Sequence, residues 1–179
     1  MCGFAGFADF SQPFPGQQQH WLDLARSMAR RIAHRGPDGH GASFSPHCVL
    51  AHARLAVMDP QHGQQPLSLP WQGHQVSIAY NGEVYNAPQL RGELEALGFS
   101  FASRCDTEVV LASYLAWGPD CARRLQGIFA FAIYDPAAPR LLLCRDPFGV
   151  KPLFLTRWQG RLAFASEIKA LLQLPGVRP

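Results

Sequence analysis

No stretch of this chain approaches the roughly 18 consecutive apolar residues of a membrane-spanning helix, and no basic run exceeds the pairs Arg30-Arg31 and Arg123-Arg124. The first absence leaves no candidate helical membrane span in the sequence. The second argues against nucleic acid as a partner. The five cysteines, an odd count, contain no CxxC pair. That sets aside a disulfide framework and a zinc ribbon, and points to reduced thiols in a cytoplasmic compartment. No basic segment precedes an apolar one at the N-terminus, so no secretion signal is expected. Internal repeats, low-complexity tracts and linkers are missing too, so residues 1–179 read as one domain. The residues are 47% hydrophobic and 16% charged, with a formal charge of +3. That is an ordinary globular composition, long enough to bury a core without disulfides or metal.

Periodicity supplies the elements. Cys2 to Ala8 reads as a strand, and Ser11 to Gln19 as a Pro- and Gln-rich loop. His20 to Ala33 has helical spacing, with Trp21, Leu24, Ala25, Met28 and Ile32 on one face. HRGPDGHG (34–41) reads as a turn-rich loop. Cys48 to Met58 and Val76 to Tyr80 look like strands, and NGEVYN (81–86) like a turn in which Asn86 caps the next helix. A further helix covers 106–118, followed by short apolar strands at 127–135, 141–146, 152–156 and 161–166. Strands at both ends with helices between them predict an α+β fold, two mainly antiparallel sheets sandwiched between helical layers.

The chemistry starts at Cys2. A thiol behind the initiator methionine is either a small buried hydrophobe or, once Met1 is trimmed, a nucleophile carrying its own base. Cysteine is small enough for that trimming. A free α-amino group titrates near about 7.7–8.0 and can take the thiol proton. Gly3 and Gly6 would then allow close approach of a substrate, with Phe4 and Phe7 anchoring the strand. Asn81 and Gly82 read as a hairpin turn or as an amide and a backbone N–H aimed at an oxyanion. Arg54, among apolar strand residues, is a clamp for a substrate carboxylate or half of a structural ion pair. Asp106 is a helix N-cap, a partner for a substrate ammonium, or both. His52 reads as structural. So does the His34, Arg35 and Asp38 set, as a satisfied turn network. Cys48, Cys105, Cys121 and Cys144 read as buried or half-buried thiols.

MCGFAG, HRGPDG, AHARLAVMD, QPL (65–67), AYNGEVYN, CDTEVVLASY, LQGIFAFAIYD, RDPFGVKPLF and FASEIKALL follow one another in this order. Together they resemble the glutaminase domain of class II glutamine amidotransferases, of the glutamine-hydrolysing asparagine synthetase type, from Cys2 to about Leu172. The resemblance implies an N-terminal-nucleophile hydrolase αββα sandwich that hydrolyses glutamine to glutamate and ammonia through a γ-glutamyl thioester. By motif, Cys2 is the nucleophile and Asn81 and Gly82 form the oxyanion hole. Arg54 holds the glutamine carboxylate, and Asp106 with Glu83 holds its ammonium. Leu55, Val57 and Met58 line the pocket. No cofactor or metal is implied for this domain. ATP and Mg²⁺ belong to a synthetase domain that lies outside these residues, and that domain, or a separate chain, is the expected acceptor of ammonia. Expected partners are therefore glutamine and that acceptor, with a homodimer allowed and neither nucleic acid nor membrane. RDPFGVKPLF, with Lys151 exposed in its turn, is a core strand and turn or a docking surface for the acceptor. A non-catalytic docking or regulatory module is the competing expectation.

Overall fold

The apolar run behind Cys2 becomes a strand buried along its whole length in the computed structural model, which describes residues 1–57, 59 and 61–178. Along the chain come β1 (Gly3–Ala8), α1 (Gln18–Arg31), β2 (Gly39–Ser45), β3 (Cys48–Arg54), β4 (Leu67–Trp71), β5 (His74–Val84), α2 (Ala87–Ala96) and α3 (Asp106–Trp117). They are followed by β6 (Gly127–Asp135), β7 (Arg140–Arg145), β8 (Phe154–Trp158), β9 (Arg161–Ala165) and the single turn α4 (Ile168–Leu171). One sheet has the order β2-β3-β1-β9-β8 and the other β4-β5-β6-β7. Every pairing is antiparallel.

Alternation along β1 explains its double burial. Phe7 and Ala5 point to the layer of α1, where Phe7 packs edge-on against Phe14, Trp21 and Trp158. Phe4 and Ala8 point into the seam between the sheets, beside Leu50, Ala79, Ala130, Ala132 and Phe164. Each buried ring contributes about 1.5–3 kcal/mol. The helices α2 and α3 cover the outer face of the second sheet through Leu90, Leu94, Val110 and Leu111. The result is the expected αββα sandwich.

Five local expectations need correction. HRGPDGHG is not all loop: its last residues start β2, which pairs with β3 from Gly39 opposite Arg54. β4 is a further strand that alternation did not reveal, being half-exposed and carrying a proline. The strand begun at Cys48 ends at Arg54 rather than Met58, and Met58 lies outside the described residues. Asn81-Gly82 is no turn, because β5 runs straight through both residues. Asn86 does precede α2, but its side chain makes no cap. Instead its Nδ2 donates to the Arg124 carbonyl and its Oδ1 accepts from the Gln126 N–H, each at 2.9 Å.

His52 ties the sheets together. It is fully buried on β3, and its Nε2–H donates to the Tyr80 carbonyl of β5 at 2.9 Å. Burial, aided by the Arg54 and His40 charges, pushes its pKa down to about 4 despite that hydrogen bond. The unfolded chain therefore takes up a proton near pH 6.5 that the folded protein refuses until about pH 4. Stability should fall as pH drops through that window by up to about 1.4 kcal/mol per unit, roughly 3 kcal/mol in all. Urea unfolding between pH 4 and 8 measures the slope, and His52→Gln should flatten it.

Candidate active site

Cys2 sits just before β1, at the end of the first sheet where β3 delivers Arg54 and Leu55. Its sulfur accepts the Leu55 N–H at 3.3 Å and faces the Leu55 carbonyl at 3.5 Å. Two residues of HRGPDG hold this arrangement. The Arg35 Nε–H donates to the Cys2 carbonyl at 2.9 Å, and the Asp38 carboxylate accepts the Ala56 N–H at 2.8 Å. Arg35 is itself held by Glu167 at 2.9 Å. Burial opposes the charge of Glu167, but hydrogen bonds from Arg35, Lys169 and His34 outweigh it and bring its pKa to about 2. The motif is the turn network expected, except that Arg35 Nη2 is buried with no partner among the described residues, and what it holds is the backbone around Cys2.

The second sheet contributes the facing wall. Asn81 is only 2% exposed, and its Nδ2 is buried without a hydrogen-bond partner among the described residues. A buried unpaired donor costs free energy unless something outside the chain uses it. Gly82 is required by packing, since a Cβ there would lie 2.4 Å from the Ile128 carbonyl oxygen of β6. The glycine thus serves close strand approach, and no left-handed backbone is involved. The same correction applies to β1. A Cβ on Gly6 would strike the Val49 oxygen at 2.5 Å, and one on Gly3 would meet Arg35 at 2.9 Å, so both glycines accommodate protein rather than substrate.

Asp106 is the first residue of α3, and Cys105 occupies the N-cap position. The loop before the helix is instead held by Glu108, which accepts the Ala102 and Ser103 N–H groups at 2.9 and 2.8 Å. Asp106 is left to face the cavity. Burial raises its pKa, against hydrogen bonds from Tyr80 and the Val84 and Thr107 N–H groups. Arg54 is almost fully buried, with Nη2 donating to the Asp59 carbonyl at 2.8 Å.

Cys2, Arg54, Leu55, Val57, Asn81, Gly82, Glu83 and Asp106 all line one cavity of about 250 Å³. That is below the range of drug-sized pockets and suits a ligand on the scale of an amino acid. The cavity also takes in Met1, Gly63, Gln65, Tyr80, Cys105, Thr107 and Lys151, none of them foreseen as lining. Lys151 is not exposed as expected. It is 7% accessible, with its ammonium 2.9 Å from the Met1 sulfur. Its neighbours on the same turn are the exposed ones: Phe148 is 89% accessible. Among the described residues no cluster of His, Cys, Asp and Glu could hold a metal, and no helix is long and apolar enough to cross a membrane.

A family profile described as a glutamine amidotransferase domain matches residues 1–179. The chain belongs to that family. It is 41% identical over 178 residues to asparagine synthetase [glutamine-hydrolyzing] 3 of Bacillus subtilis, covering 99% of this chain and 28% of that protein. To asparagine synthetase B [glutamine-hydrolyzing] of Escherichia coli it is 39% identical over 173 residues, covering 96% of this chain and 30% of that one. This glutamine amidotransferase domain therefore spans under a third of the length of those curated relatives. Among solved structures, the glutamine phosphoribosylpyrophosphate amidotransferase of Bacillus subtilis superposes with a TM-score of 0.76 at 20% identity, over 96% of this chain and 43% of that one. That likeness establishes the N-terminal-nucleophile hydrolase fold.

Proposed function

We propose that this domain hydrolyses glutamine to glutamate and ammonia, with Cys2 as nucleophile after Met1 is removed. The observation that carries this is the unpaired Asn81 amide, buried in the same cavity as the Cys2 thiol, Arg54 and Asp106. A ligand with a carboxylate, an ammonium and a side-chain amide satisfies all four groups. Arg54 takes the carboxylate, Asp106 and Glu83 the ammonium, and Leu55 and Val57 enclose the chain between.

In the first half-reaction the freed α-amine takes the thiol proton and the thiolate attacks the amide carbon. The carbonyl oxygen becomes an oxyanion that accepts hydrogen bonds from Asn81 Nδ2 and the Gly82 N–H. The α-ammonium returns its proton to the departing nitrogen, ammonia leaves, and a γ-glutamyl thioester remains. Water then adds to the thioester with the same amine as base, releasing glutamate and restoring the thiol.

The acceptor of ammonia belongs to the same proposal: a synthetase region of the kind named in the relatives, making asparagine or a related amide. Support comes from the exposed Phe148 and Val150 on the turn that carries Lys151, apolar side chains adjacent in sequence to a residue of the cavity. A cytoplasmic setting, where the thiol stays reduced, is part of the same reading.

Intact mass and ammonia release together test it. The purified chain should lack one methionine and release ammonia from glutamine in preference to asparagine and simple amides. Ammonia release by protein that retains Met1 would overturn the nucleophile–base assignment. No release from trimmed protein would favour a docking module instead.

A further inference from the structure

Tyr80, the residue before Asn81, is 2% exposed and gripped from β3, α3 and the loop before β4. Its N–H donates to Gln65 Oε1 at 2.7 Å, its carbonyl accepts from His52 at 2.9 Å, and its phenol donates to Asp106 Oδ2 at 2.5 Å. The Val84 N–H donates to the same Asp106 oxygen at 3.0 Å. Gln65 continues the brace, its Nε2 donating to Thr107 Oγ1 at 3.4 Å, one residue beyond Asp106. A buried carboxylate is thereby bound to the strand that carries the oxyanion donors. We infer that Tyr80 is a positioning residue that holds the Asp106 carboxylate in place and aimed for the α-ammonium of the substrate, so that recognition of the amino-acid head group depends on a phenol acting through that carboxylate. This rests on glutamine being the substrate.

The physical reason is the burial of Asp106. Burial works against its charge, and a charge-assisted hydrogen bond from a fixed phenol is among the strongest compensations available. The bond also orients: with Oδ2 committed to β5, the carboxylate cannot rotate freely in the cavity. Removing the hydroxyl while keeping the ring leaves the packing intact and takes away one of the two hydrogen bonds on Oδ2, leaving only that from the Val84 N–H to hold it.

Tyr80→Phe is therefore expected to raise the KM for glutamine about tenfold or more while kcat stays within about twofold, because the ammonium contact serves ground and transition states alike. The decisive comparison uses glutaramic acid, which is glutamine without its amino group. The ratio of kcat/KM for glutamine over glutaramic acid should collapse in Tyr80→Phe, whereas a merely structural loss would lower both substrates together. In an Asp106→Asn background the same exchange should change the ratio no further, which keeps the test sound should Tyr80→Phe lose some thermal stability. An unchanged ratio in Tyr80→Phe, alongside an active parent protein, overturns the inference and leaves the glutaminase reading standing. A parent protein inactive on glutamine overturns both.

Discussion

Cys2→Ala should abolish ammonia release from glutamine, with a loss of about 10⁴-fold or more in kcat, the scale on which removal of a covalent nucleophile is felt, and should leave the protein folded. Both halves follow from the surroundings of the sulfur. Among the described residues its hydrogen bonds are to the N–H and carbonyl of Leu55, at 3.3 and 3.5 Å. The position of residue 2 is held by its backbone instead, through the Arg35 hydrogen bond to its carbonyl. Alanine keeps that bond. Thermal denaturation should accordingly shift little, and glutamine should still raise the melting temperature of the variant, since Arg54 and Asp106 remain. A variant that still turns glutamine over at a substantial rate would sink the covalent mechanism. Incubation with glutamine and acid quenching gives a second readout: the parent protein should trap a γ-glutamyl adduct by mass, and the variant none.

Asn81→Ala should lower kcat by about 10²–10³, the usual cost of one oxyanion donor, with KM for glutamine nearly unchanged. The split reflects where the amide is used. Nδ2 has no partner among the described residues, so the fold does not depend on it, and the substrate carbonyl needs it fully only when charge builds on oxygen. An ordinary buried asparagine would cost stability on truncation because a partner is orphaned; here no partner of Nδ2 is left behind. Steady-state ammonia release with thermal denaturation in parallel separates the possibilities. Near-parental kcat would remove Asn81 from the oxyanion hole.

Much of this site is legible in the sequence because its motifs are short and ordered. Cys2, Arg54, Asn81, Gly82 and Asp106 each stand in a local pattern that suggests its chemistry, Glu83 comes in through the family resemblance, and all line one cavity. What was not legible is how these residues are held. Asn-Gly reads locally as a turn because the dipeptide favours one, but pairing of β5 with β6 across Asn81–Ala130 and Gly82–Phe129 overrides the local preference. Tyr80 and Gln65 fall within motifs but carry no local signal of a role, since their partners lie far away in sequence at Asp106, His52 and Thr107. Lys151 sits in a Gly-Val-Lys-Pro turn that suggests exposure, yet Asp146 accepts its N–H and that of Val150 at 2.9 and 3.0 Å, folding the turn back on itself.

The seam between the sheets is lined by Ala8, Ala79, Ala130 and Ala132 around the rings of Phe4 and Phe164. In the proposed reaction one sheet carries the attacking sulfur and the other the amide that steadies the oxygen, so the distance between them follows the packing of that seam. Catalytic geometry and core volume are then a single inherited quantity. A methyl group gained in the middle of the molecule is read out at its edge, as chemistry.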